Sequence, residues 1–331
     1  MKKEIILSQE ISENRTAIMG LSILSIMLFH QCFTSSIPFN VFHNYGYWGV
    51  DIFLFLSGMG LVKSLNNNSL KIYYLHRFNR IIPSCVLCGS LKYCIYLLYS
   101  SLAVLKDGLN LGIWSIMSLD LWFIPAIMIL YTVSPILYYL IKKWTLPTIT
   151  IITFVFLING VLIRPKVGYD WLSPIGIFAW TIERLPVFVA GMYITMKKGL
   201  IDQKFRYSFP FLFISILLVL LEKTEMTIHG IQAVRFLTLL IGMPSLIYLC
   251  IIIIRKLPNK AIIVINFFGT YSLELYLVHE FIFWSLKVSY NNTSSFLLLF
   301  ISFMLSCVTA YTSKLMSKKI SQIILPIFMY I

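Results

Sequence analysis

Apolar runs long enough to cross a bilayer recur ten times along this chain, separated by short connections, and that recurrence leaves few possible architectures. A hydrocarbon layer about 30 Å thick is spanned by about 20 helical residues. Lipid offers the backbone no hydrogen-bond partner, so only helices and closed barrels cross it. The runs lack the strict alternation of barrel strands and read as helices. They cover roughly 16–33, 46–65, 82–104, 120–141, 146–163, 173–196, 207–222, 233–254, 261–285 and 295–313. The expected fold class is therefore all-α: a polytopic membrane protein of about ten transmembrane helices forming one domain over 1–331, with no appended soluble domain.

Composition excludes the main alternative. At 59% hydrophobic and 12% charged residues, the chain is too apolar to hold two soluble domains. Its formal charge of +14 would suit nucleic acid, but the basic residues sit between apolar runs instead of forming a patch. That is the pattern of cytoplasmic loops facing anionic lipid, so membrane lipid is an expected partner and nucleic acid is not. Of the 27 Lys and Arg residues, nineteen lie in the N-terminal segment, the even-numbered loops and the C-terminal segment, and five in the odd-numbered loops. This asymmetry predicts both termini on the cytoplasmic side and an outward-facing link between the first two spans. The N-terminal run is short and carries acids, so no cleaved signal is expected. Cys85 and Cys88 have C-x-x-C spacing without a second pair or a His cluster, which reads as packing; no metal is expected.

Ionisable residues inside spans are costly, by roughly 2.5–3.5 kcal/mol on insertion scales, and mark function by default. His30 lies near the end of the first span and Asp51 near the start of the second. Antiparallel spans joined by a short link bring the two to one depth, so His30 and Asp51 can face each other. His30 stands roughly 22 Å above Arg15, and the ninth span, running inside to outside, lifts His279 by roughly 25 Å, so three titratable groups are expected to converge on the outer half. Lys92, Glu183, Arg184 and Glu274 lie deeper and are expected to pair within the bundle. Before the third span, KIYYLHRFNRIIPS places Arg77 and Arg80 three apart on one helical face. Two guanidinium forks at the cytoplasmic interface suit a polyphosphate ligand or, equally, anionic headgroups.

Six motifs in order resemble the integral-membrane acyltransferase-3 family of sugar and polysaccharide O-acyltransferases. They are MGLSILSIMLFH ending in His30, GYWGVDIFLFLSG ending in Gly58, R-x-x-R-I-x-P at Arg77, Arg80 and Pro83, LWFIPAIMILYTVSP from Leu121 to Pro135, RLPVFVAGMYI from Arg184, and GTYSLELYLVH ending in His279. The resemblance implies an O-acetyltransferase of the bacterial cytoplasmic membrane. It would take acetyl from cytoplasmic acetyl-CoA, or another acyl-CoA, to a hydroxyl of a cell-surface polysaccharide or its lipid-linked precursor. His30 matches the family's first-helix histidine and Asp51 its G-V-D-I-F carboxylate, while Arg77 and Arg80 are the expected contacts to CoA phosphates. Many members carry an Arg eleven residues before the histidine; here that residue is Met19, with Arg15 one turn below on the same face as the substitute candidate.

The expected chemistry is removal of a hydroxyl proton by His30, or transient acyl carriage on it, with Asp51 orienting the ring. His279, Trp122, Glu274 and Arg184 are the expected acceptor-side residues. Ser57 reads as a small packing residue beside Gly58 and Gly60, and Tyr131 as an interface aromatic. The rival class is a transporter or flippase relaying protons through the same buried groups; its cue, paired broken helices in two related halves, is missing from the sequence.

Overall fold

A computed structural model describes residues 7–33, 42–43, 45–99, 121–167, 173–197, 202, 205–222, 231–289 and 296–330. Several sequence-stretch expectations lie outside them: Lys2, Lys3, Lys106, Lys198, Lys204 and Lys223, the third span beyond residue 99, and most of the expected outer loops. Among the described residues the regular secondary structure is helical, with no strand. The helices are α1 (Leu7–Glu13), α2 (Arg15–His30), α3 (Trp48–Asn67), α4 (Leu70–Tyr99), α5 (Phe123–Lys143) and α6 (Thr145–Ile158). After α6 come a π-helical turn (Asn159–Ile163), α7 (Arg164–Val167), α8 (Pro174–Met196), α9 (Phe209–Glu222) and α10 (Ile231–Lys256). α11 (Asn259–Thr270), α12 (Ser272–Ser289) and α13 (Phe296–Tyr330) complete the order.

Local chemistry accounts for several boundaries. At the start of α8, Ser173 accepts a hydrogen bond from the Gly176 N–H at 3.0 Å, and Pro174 occupies the first turn, where its missing N–H costs nothing. Pro83, Pro135, Pro186 and Pro244 lie inside helices without ending them, as packed neighbours permit in membrane bundles. The π-helical turn coincides with Asn159, whose buried side chain donates to the Ala179 carbonyl at 2.9 Å and so ties this turn to α8.

Among the described residues, six helical segments are individually long and apolar enough to cross a membrane: Trp48–Asn67, Phe123–Lys143, Thr145–Ile163, Pro174–Met196, Leu237–Lys256 and Phe296–Ile323. The remaining expected spans take other forms. The first and seventh fall on the shorter apolar helices Arg15–His30 and Phe205–Val219. The third lies within α4, which runs unbroken from Leu70 and so carries the basic stretch and the apolar stretch on a single rod. The ninth, expected as one straight climb to His279, is instead α11 and α12 meeting at an angle of 82° around Tyr271.

Two helices occupy the centre: 61% of the spanning window of α3 and 67% of that of α8 is buried, against 22% for the peripheral segment that contains α6. Their contact is backbone on backbone. A Cβ on Gly58 of α3 would collide with the Phe188 carbonyl oxygen, and one on Gly191 of α8 with the Phe55 carbonyl oxygen. α2 and α11 repeat the device, since a Cβ on Gly20 would strike the Ile265 carbonyl and one on Gly269 the Thr16 carbonyl. Gly49 lets α3 approach Ser22 of α2 in the same way. Helices in lipid gain little from the hydrophobic effect when they associate, so such small-residue contacts supply much of the packing energy.

Filling these notches is expected to push the central helices apart. Gly58→Leu and Gly191→Leu should each cost about 1–3 kcal/mol by overpacking. Thermal unfolding of purified protein in detergent would register the loss, and an unchanged midpoint would contradict the packing.

Candidate active site

α2 ends at His30, and α12, beginning after the break, brings His279 against it. His30 Nδ1 lies 2.9 Å from His279 Nε2, with ring centroids 5.1 Å apart. His279 is buried at 1% exposure, whereas His30 is partly exposed. Phe29 stands edge-on to His30 at 4.9 Å and Phe283 edge-on to His279 at 5.8 Å, which restricts both rings. His279 Nδ1 is anchored to its own helix by the carbonyls of Leu275 at 2.9 Å and Tyr276 at 3.1 Å. One residue beyond His30, the Gln31 amide nitrogen donates to His43 Nε2 at 3.0 Å, which brings a third histidine into the neighbourhood. Sequence reading passed over His43 because it lies in the link between spans, not in one.

Asp51 does not take the place expected for it beside His30. Its carboxylate, fully buried on α3, receives Arg184 Nη1 of α8 at 3.0 and 3.3 Å. The reason is the glycine contact described above. It draws α8 against α3 and puts a desolvated guanidinium next to Asp51, and a buried charge left without its partner is costlier than any neutral hydrogen bond the carboxylate could make to an imidazole. Glu183, the residue before Arg184, turns the other way and pairs with Arg164 Nε at 2.8 Å. Two tryptophans bridge these ion pairs: the Arg184 guanidinium lies 5.7 Å from the Trp122 ring and that of Arg164 4.0 Å from the Trp180 ring, and the indoles are 5.1 Å apart. Glu183, Arg184 and Glu274 thus pair within the bundle as expected, each with a partner from outside that set. Glu274 accepts from Ser84 at 2.8 Å and faces Lys314 of α13 at 3.7 Å. Lys314 also donates to the Thr270 carbonyl, at the end of α11, so it bridges the break. Arg164 and Lys314 had been read as loop and tail residues, since neither lies in an expected span.

Arg15, Arg77 and Arg80 converge on one cleft. They line it with Met19, Phe53, Leu56, Ser57, Ile81, Phe123, Ile127, Tyr131, Ser272, Leu273 and Tyr276, leaving a cavity of about 70 Å³, several times the space one water requires. Carbonyl oxygens orient two of the guanidiniums: Arg15 Nη2 donates to Leu56 O at 2.9 Å and Arg77 Nη2 to Gly60 O at 3.3 Å. Arg77 also lies over the rings of Tyr73 and Tyr131, 5.8 and 5.6 Å from their centroids. Among the described residues lining the cleft none is acidic, and the buried Arg77 Nε has no partner among them. Three guanidiniums on a cleft whose described lining residues include no carboxylate have the chemistry that suits an anion. Met19 and Arg15 line it together, so the guanidinium one turn below reaches the cleft that a cation at position 19 would enter. Ser57, expected as packing, lines it as well.

The cleft and the histidine pair share their framework. α2 carries Arg15 and Met19 at one end and His30 at the other. On α12, Tyr276 lines the cleft and its carbonyl holds His279.

A sequence model of one family, described as an acyltransferase domain, matches residues 17–313. No curated protein and no solved structure matches the chain.

The Asp51–Arg184 pair generates a stability test. Removing either partner's charge alone, as Asp51→Leu or Arg184→Met, should cost about 3–5 kcal/mol because the other charge stays buried. The combined Asp51→Leu and Arg184→Met variant should recover most of that loss. A double-mutant cycle on thermal stability measures the coupling, and simple additivity would refute it.

Proposed function

The chain belongs to the acyltransferase-3 family, and on that premise we propose that it is a membrane O-acyltransferase that takes acetyl from cytoplasmic acetyl-CoA to a sugar hydroxyl. The acceptor in this reading is a cell-surface polysaccharide or its lipid-linked precursor, and the membrane the cytoplasmic membrane of a bacterium. The observation that carries the reading is that the arginine cleft and the histidine pair stand at opposite ends of one helix. Fifteen residues of α2 separate Arg15 from His30, roughly 22 Å at the helical rise. That separation suits a donor held by its phosphates at one end and reacting at the other, with a pantetheine-like arm between.

Each part has a chemical task. Arg15, Arg77 and Arg80 bind the donor phosphates through charge-assisted hydrogen bonds, for which the planar guanidinium is better suited than an ammonium. His30 receives the proton of the acceptor hydroxyl on the ring nitrogen that does not face His279. The freed oxygen adds to the thioester carbonyl, the tetrahedral adduct expels the thiolate, and the thiolate regains the proton from the imidazolium. The products are the O-acyl ester and the free thiol. Asp51 and Arg184 act as an internal tie that fixes α3 against α8, and Trp122, in contact with that tie, offers an aromatic face of the kind that pyranose rings stack on. The family match lends nothing to a carrier that moves its substrate without covalent change.

His30→Ala, expressed at matched level, is expected to lower label transfer from acetyl-CoA to membrane acceptor about 100-fold or more, the usual worth of a positioned base. Undiminished transfer would remove His30 from the chemistry. Arg77→Ala combined with Arg80→Ala should raise the KM for acetyl-CoA by about 10–100-fold, the value of losing charged hydrogen bonds, with insertion unaffected. An unchanged KM would return both residues to headgroup anchoring.

A further inference from the structure

His279 has two ring nitrogens, and both are committed. Nδ1 lies within hydrogen-bond distance of the Leu275 and Tyr276 carbonyls. A carbonyl oxygen only accepts, so this nitrogen carries a hydrogen. At 1% exposure the ring is buried, and an imidazolium there would be a charge taken out of water. As the neutral Nδ1–H form, His279 presents a lone pair at Nε2. That lone pair points at His30 Nδ1, 2.9 Å away. His30 Nδ1 must therefore be the donor, since the alternative tautomer would set two lone pairs against each other. A neutral imidazole protonated at Nδ1 has its basic lone pair at Nε2.

From this chain of donors we infer that His279 is a positioning residue: its carbonyl-anchored ring holds His30 in the Nδ1–H tautomer and leaves His30 Nε2 as the reactive lone pair. The assignment replaces acceptor binding as the role of His279, and it rests on the reading of His30 as the base. Without the anchor, the His30 ring is free to adopt the Nε2–H form, which has no lone pair where the hydroxyl arrives. The same bond acts a second time during turnover. When His30 takes up the proton, its Nδ1–H becomes the donor of a charged ring and the bond to His279 Nε2 strengthens, so the charge is stabilised by a dipole already in place.

Two substitutions separate tautomer control from packing. Leu at 279 keeps bulk and removes the acceptor, whereas the carboxamide oxygen of Gln approximates the position of Nε2 and restores it. His279→Leu is expected to lower kcat about 100-fold with the KM values for acetyl-CoA and acceptor little changed, and His279→Gln to recover activity to within about tenfold of wild type. Histidine-selective 15N spectra of the protein in nanodiscs should show His30, assigned by its loss in His30→Ala, protonated at Nδ1 in the wild type and the Gln variant. The Leu variant should show the Nε2–H form. The inference is overturned if wild-type His30 carries its proton on Nε2, if Gln is as impaired as Leu, or if Leu raises only the acceptor KM, as a sugar ligand would. Should the Leu variant not fold, the wild-type spectrum and the Gln variant decide the matter. Loss of activity in His30→Ala beside full activity in His279→Leu would sink this inference alone, whereas full activity in His30→Ala would sink the base reading beneath it.

Discussion

Backbone pressed against backbone at a few glycines is the contact on which the rest of this bundle depends. In lipid the hydrophobic effect does not distinguish one helix neighbour from another, so the choice of neighbour falls to shape. Gly58 and Gly191 choose it for α3 and α8, and Gly20 and Gly269 for α2 and α11. Those choices decide which polar groups meet. Asp51 finds Arg184 because α8 lies in the groove of α3, and His30 finds His279 because α11, gripped by α2, delivers the chain to the point where α12 begins.

Two arrangements of charge stand apart among the described residues. Asp51 with Arg184, Glu183 with Arg164 and Glu274 with Lys314 have opposite partners. In a low-dielectric interior they are structural by default, since losing one partner strands the other. Arg15, Arg77 and Arg80 are arranged otherwise: the first two are held by carbonyl oxygens, Arg77 also by tyrosine faces, and all three line a cleft whose described lining holds no carboxylate. Three like charges lining one cleft repel one another, a cost that an anionic ligand would relieve.

Much of this was legible in the chain, and the remainder has a physical reason for being hidden. The helical class follows from run length, and the prominence of His30, Asp51 and His279 follows from the cost of polar groups in lipid. The common helical face of Arg77 and Arg80 follows from their spacing, and Arg15 and Met19, one turn apart, line one cleft with them. Who pairs with whom was not legible. Hydropathy places a residue along a span but says nothing about its azimuth, so the approach of His30 and Asp51 in depth could not reveal that they face different neighbours. The bend at Tyr271 was hidden because Gly269, Thr270 and Tyr271 sit within an apolar run that reads as continuous. Lys314 and Arg164 escaped notice because basic residues near span ends are ordinarily interfacial anchors.

The unbroken course of α2 has one further consequence. A single rod with a cation at its foot and an imidazole at its tip is a molecular gauge, since α-helices resist stretching and the rise per residue sets the interval. On the proposed chemistry, the carrier arm of the donor is measured against that interval before its acyl group is. A compact activated acyl compound could satisfy the arginines or reach the imidazole, but could not do both at once, and selectivity for long-armed thioesters would then come from the length of one helix.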